Sequence, residues 1–207
     1  VYQTAGWSHF HLPGSINAWR RCKSRRKWLR IHRDFEWPDT YTPENLEDLK
    51  RFYDRYLKDI HNGWEMTPKV RVDVMDAFDL DHADRRPETS FPLKRTQYKK
   101  LYLNAADTSL QITPVETESQ ISYDGNTGKV EFDMAFDEDT ELTGYMYLRL
   151  YVEADGHDDM DLFVNIQKAD ASGRWIPWFT LNEPHPGAWG KMRVSRRELD
   201  EKLSTKF

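Results

Sequence analysis

The sequence predicts two unlike halves, an α/β segment to about residue 66 and an all-β sandwich from 67 to 207. Three observations predict it. Strand-like and helix-like runs alternate up to Asn62-Gly63. From Thr67-Pro68 onward the apolar residues recur at every second position. Turn signals such as Asp124-Gly125-Asn126 and Ser172-Gly173 then separate many short runs, as in a sandwich, and the jelly roll is the preferred version.

Val1 to Ala5 reads as a strand stopped by Gly6. After Pro13-Gly14, Ser15 is a cap for a short helix with Ile16 and Trp19 on one side. Lys27-Trp28-Leu29-Arg30-Ile31 is a buried strand, and a polar loop from His32 to Asp39 follows it. Thr42 then offers its hydroxyl as an N-cap, Pro43 fits the first helical position and Glu44 the acid-favouring first turn. Leu46, Leu49, Phe52, Tyr53, Tyr56 and Leu57 recur at three and four, which predicts the buried face of that helix.

In the second half, strands are expected at 69–75, 99–103, 110–113, 128–134, 144–152 and 161–167. Ser195-Arg196-Arg197-Glu198 reads as a capping box that opens a helix carrying Leu199 and Leu203.

Composition narrows the function. A net charge of -5 disfavours general affinity for nucleic acid, and Arg20-to-Lys27 reads as a solvated helix end. One cysteine, Cys22, cannot pair within the chain, so nothing requires an oxidising compartment, and a cytoplasmic setting is expected. No apolar run is long enough to span a membrane. The chain opens without Met, so the true N-terminus is expected to lie upstream.

Open α/β sheets place their sites beyond the carboxyl ends of the strands, which singles out His32 as a proton-transfer base. Asp34 and Glu36 follow as carboxylates in the same loop, and His11 is a further residue of the same pocket. No metal ligand set is read: the acidic loop Asp155 to Asp161 lacks the glycine and terminal glutamate of an EF-hand. Nor is a cofactor expected. Trp175, Trp178 and Trp189 suggest an alternative, a carbohydrate-binding or interaction sandwich without catalysis.

Several segments occur in a telling order: Trp7 with His11, Lys27 to His32, Glu36-Trp37, Phe52 to Lys58, Asn62-Gly63-Trp64, Pro68 to Val72 and Arg193 to Asp200. Together they resemble the cocaine esterase and Xaa-Pro dipeptidyl-peptidase family of serine hydrolases. The resemblance implies that 1–66 is the last part of an α/β-hydrolase domain and 67–207 a jelly roll. It further implies Ser-His-acid cleavage of a small ester or peptide, with His32 as base, the acid open between Asp34 and Glu36 or the working triad lost in this member, and possible homo-oligomerisation. No Gly-x-Ser-x-Gly elbow occurs in the chain, so the nucleophile is expected in a missing N-terminal portion, and this chain alone is expected to be inactive.

The sequence departs from the family pattern at two places. Relatives often carry an Asp just after the counterpart of Trp7, where Ser8-His9 stands here with a shorter loop before Gly14. Some relatives carry their histidine where this chain has Glu36.

Overall fold

The computed structural model describes residues 1–77, 80–181, 183–202 and 204, and of residues 80–82 the backbone alone. The chain is mostly sheet with few helices, consistent with a β-sandwich C-terminal domain. It divides into two compact units, residues 1–94 with 145–207 and residues 95–144.

The first unit is built on a four-stranded sheet in the order β1-β2-β3-β4. Strand β1 is Tyr2–Gly6, and helix α1, Leu12–Arg21, leads to β2, Trp28–His32. Helices α2, Glu36–Thr40, and α3, Pro43–Leu57, precede β3, Val70–Ala77, and β4, Leu80–Glu88. β1, β2 and β3 run parallel, and β4 returns antiparallel to β3. The sheet therefore crosses the boundary expected at residue 66.

Side-chain alternation gives the sheet two different faces. Leu29 and Ile31 of β2 lie beside Val70 and Val72 of β3, and these pack with Ile16 and Trp19 of α1, Phe91 and Leu93 as the apolar core. On the opposite face Arg30 lies beside Arg71. Arg71 donates to Asp48 of α3 and, at 2.9 Å, to the Tyr2 hydroxyl, which Arg30 also reaches at 3.3 Å. Trp28 on this face meets the rings of Phe52, Tyr56 and Trp64.

That ionic face explains where α3 departs from expectation. Its Thr42 cap is as predicted, the hydroxyl accepting from the Asn45 amide at 3.3 Å. The buried positions, however, include Asn45 and Asp48, while Leu46, Tyr53 and Leu57 point outward. The helix docks on two strand arginines, so partnered polar groups occupy its inner side instead of a continuous leucine stripe. Helix α1 starts at Leu12, ahead of Ser15, because Pro13 lies in the first turn, where no amide hydrogen bond is lost. The same reasoning applies to α2, a helix inside the expected loop, with Pro38 near its start.

In the second unit β5, Tyr102–Asn104, pairs with β6, Ser109–Gln111. Back in the first unit, β7, Asp161–Ile166, pairs with β12, Ala188–Arg193. β8, Lys168–Ala169, pairs with β9, Trp175–Ile176, and β10, Trp178–Thr180, with β11, Glu183–His185. The expected strands at 128–134 and 144–152 do not form, apart from an isolated bridge between Ser109 and Asp133. Tyr151 stands 98 % exposed. Alternation marks a face to bury, but a strand also needs a ladder partner, and none adjoins those runs among the described residues. The capping box at Ser195 is a short 3-10 turn, Val194–Arg196, because the Ser195 hydroxyl binds Asp159 at 2.7 Å instead of capping. Leu203 lies outside the described residues.

Candidate functional site

β1 and β2 end side by side at Gly6 and His32, and every candidate residue lies on or just beyond those ends. Gly6 permits the close approach: a Cβ there would stand 3.0 Å from the Asp34 carbonyl oxygen and 3.4 Å from His32 Cε1. The Trp7 amide donates to the His32 carbonyl at 2.9 Å, and the Trp7 indole donates to the Asp73 carbonyl at 2.7 Å. The loop after β1 is also held from the C-terminal part, where the Thr180 hydroxyl donates to the Ser8 carbonyl at 2.9 Å.

His32 lies within the protein rather than at its surface, with 1 % exposure. Its Nδ1 is 2.9 Å from the Asp34 carbonyl, which can only accept, so Nδ1 carries the proton. Asp39 Oδ1 lies 3.4 Å from the same nitrogen. Nε2 is buried with no hydrogen-bond partner among the described residues. Burial holds the His32 imidazole below its ordinary value, with Asp39 working in the opposite direction.

Glu36 opens α2, and its carboxylate faces two imidazoles from the loop after β1. His9 Nδ1 is 3.1 Å from Oε1 and His11 Nδ1 is 3.7 Å from Oε2. The His11 amide donates to His9 Nδ1 at 3.1 Å. His9 is buried among Phe10, His11 and Phe35, whereas the His11 side chain is 61 % exposed. Burial lowers the His9 pKa, against the pull of Glu36. Of the carboxylates in this loop, Asp34 points outward to Arg33, while Asp39 forms a buried bidentate pair with Arg30. His9 and Asp39 were not singled out from the sequence; the signal for His9 was its place in the family's acid position.

Asp73 anchors the loop from β3, accepting from the Arg33 amide at 3.0 Å and the Arg85 amide at 2.9 Å. Burial pushes its carboxyl up to about 6. These groups give stability opposing pH dependences. His9 and His32, lowered on folding, contribute stability above the ordinary 6.5 that is lost as pH falls. Asp73, raised from 3.8, contributes stability at low pH that is lost as pH rises through about 6. Removing the carboxylate with Asp73→Asn should therefore steepen the loss of stability as pH falls from about 6.5 to about 4. Urea midpoints across that range check this, and an unchanged slope would exclude Asp73 from the balance.

The acidic loop is paired internally: Asp161 takes two hydrogen bonds from Arg193, and Asp159 accepts from Ser195. Trp175, Trp178 and Trp189 lie on three separate strand pairs. Among the described residues no helix is long and apolar enough to cross a membrane.

Two crystal structures of a CocE/NonD family hydrolase from Staphylococcus aureus are similar at 38% sequence identity and a TM-score of 0.93, covering 99% of this chain. The chain spans 38% and 37% of their lengths. No curated protein matches. Residues 62–205 match the model of the X-Pro dipeptidyl-peptidase C-terminal non-catalytic domain. The match includes β3 and β4, which complete the four-stranded sheet, and the chain accordingly belongs to the X-Pro dipeptidyl-peptidase C-terminal non-catalytic domain family.

Proposed function

We propose that the chain is the C-terminal portion of a serine hydrolase of ester or Xaa-Pro peptide bonds. Residues 1–66 would be the end of its α/β-hydrolase domain and 67–207 its jelly roll, with the nucleophilic serine in polypeptide outside these residues. The observation that carries the reading is the Glu36 carboxylate facing His9 and His11 across the ends of two parallel strands. A proton relay needs one imidazole and one carboxylate there; in the family pattern the chain resembles, relatives often carry an Asp after β1 and some carry their His where Glu36 stands. Here the loop after β1 carries the imidazoles and the loop after β2 the carboxylate, so the two have exchanged sides.

Among the candidate bases, His11 is the one a substrate can reach. A serine from outside this chain must meet an imidazole that the chain itself leaves open, and His11 does while His9 and His32 are covered. In this reading Glu36 fixes the His11 tautomer and stabilises the imidazolium, and the 3.7 Å separation tightens in the substrate complex. His9 holds the His11 backbone, and His32 with Asp34 shapes the loop that delivers Glu36. Phe10 and Trp37, both exposed, give the rim an apolar character suited to an acyl or prolyl group.

The test is turnover of p-nitrophenyl esters and Xaa-Pro anilides by the protein carrying its serine-bearing portion, compared with these 207 residues alone. Turnover by the longer protein and none by the isolated chain is expected. Hydrolysis by the isolated chain, or no hydrolysis by the longer protein on either substrate class, would overturn the reading.

A further inference from the structure

We infer that His9, His11 and Glu36 form a binding site for a divalent transition-metal cation of the zinc class, and that occupancy shuts off the proton relay. The inhibitory half rests on the relay proposed above, whereas the binding half does not.

One ligand atom from each of the three residues can be chosen so that all lie within 4.8 Å of one another. His9 Nδ1 and Glu36 Oε1 are 3.1 Å apart, and His11 Nδ1 and Glu36 Oε2 are 3.7 Å apart. Ligands at about 2.0–2.2 Å around one tetrahedral ion stand about 3.3–3.6 Å from each other, so these separations straddle what a single ion needs. Two imidazoles with one carboxylate are a borderline-soft donor set, which selects zinc, cobalt or nickel over magnesium or calcium.

The local electrostatics favour a cation for a separate reason. His9 Nδ1 already accepts from the His11 amide, so it presents no proton to Glu36 Oε1. Two electron-rich atoms therefore face each other at 3.1 Å, a contact that a positive charge between them relieves. An ion would displace the His11 amide as the partner of the His9 Nδ1 lone pair. The His11 side chain, being exposed, provides the entry path and can swing to complete the set. The site also has a fixed half: α2, which carries Glu36, is pinned through the Asp39–Arg30 pair.

With His11 ligated through Nδ1, its remaining proton sits on Nε2, which then has no lone pair for a serine proton, and with Glu36 ligated the carboxylate cannot stabilise an imidazolium. Relay and metal site thus use the same atoms and exclude one another.

Cobalt(II) titrated into the full chain reports binding through its visible absorption, and zinc displacement of that signal gives the zinc affinity without any need for turnover. We expect one equivalent bound, with affinity weakened about tenfold or more by His11→Ala and by Glu36→Gln, and unchanged by His157→Ala, a histidine of the distant acidic loop. Saturation absent up to millimolar metal would overturn the inference, as would binding indifferent to the His11 and Glu36 substitutions. A failed esterase assay on the longer protein would leave this result standing and remove only its inhibitory consequence. Conversely, activity that zinc does not reduce, in a protein shown by cobalt to be loaded, would remove the claim of shared atoms.

Discussion

Glu36→Gln is expected to lower kcat of the serine-bearing protein by about 10³- to 10⁴-fold with little change in KM, the cost of losing the carboxylate of a triad. The change is nearly isosteric and Glu36 is partly exposed, with no buried ion pair to strand, so the fold should tolerate it. The loss arises because an amide cannot stabilise the imidazolium that forms at His11 as the serine attacks, and because it no longer selects the His11 tautomer. His11→Ala should cost at least as much, and the double variant scarcely more, since base and acid act as one unit. His32→Asn provides the contrast. If His32 were the base, its loss would equal that of His11 and the acidic limb of the pH–rate profile would vanish. As a buried positioning residue, His32 should instead lower stability and leave the pH of half-maximal kcat/KM in place. Glu36→Gln retaining activity within a few-fold of the parent would eliminate the exchanged relay.

The relay also shows how far residues can be read before a structure. The Trp28 strand, the Thr42 cap and Pro43 start were legible because each is a local rule with a local cause. So was the neighbourhood of the site: His11, His32, Asp34 and Glu36 all lie on or beyond adjacent strand ends. Which of them are accessible was not legible. His32 ends a strand whose five residues are all buried, with β1 beside it and Asp39 of α2 against its ring. Spacing along one strand carries no information about that. His9 went unremarked as a functional group for a similar reason, since its partner Glu36 lies 27 positions away in sequence, beyond any helical or strand period. The inner face of α3 misled in the other direction. Leucines at helical spacing are normally core, yet Arg71 of β3 and Arg85 of β4 reach α3 from the sheet and take Asp48 and Asn45 as partners. In the second half, the alternating run from Gly144 to Val152 reads as a strand, yet no strand forms there and residues 146–152 are exposed on both alternating sets, because alternation alone does not supply a pairing partner.

Breaking the Arg30–Asp39 pair should produce a large loss of stability. Arg30 and Asp39 are 3 % and 6 % exposed at the side chain, and they meet through two parallel hydrogen bonds, one of 2.7 Å. Removing one partner strands the other as a buried charge, which costs about 3–5 kcal/mol. At about 2–4 °C per kcal/mol for a chain of this size, Asp39→Ala should lower Tm by about 10 °C. The pair does more than stabilise. Asp39 sits one helical turn from Glu36 on α2, and its backbone carbonyl accepts from Asn45 at 2.6 Å, so the arginine fixes that helix and the direction of its first carboxylate. Stability and positioning separate in the double variant Arg30→Met with Asp39→Leu. Apolar side chains of similar volume remove both charges together and should recover most of the lost Tm. Activity should not recover, because nothing then ties α2 to β2, and Glu36 drifts from His11. The kcat of the refolded double variant, compared with its Tm, reads the two effects independently. Full activity in that variant would mean that apolar packing alone orients α2, and the arginine would be a stabilising residue with no part in aiming Glu36.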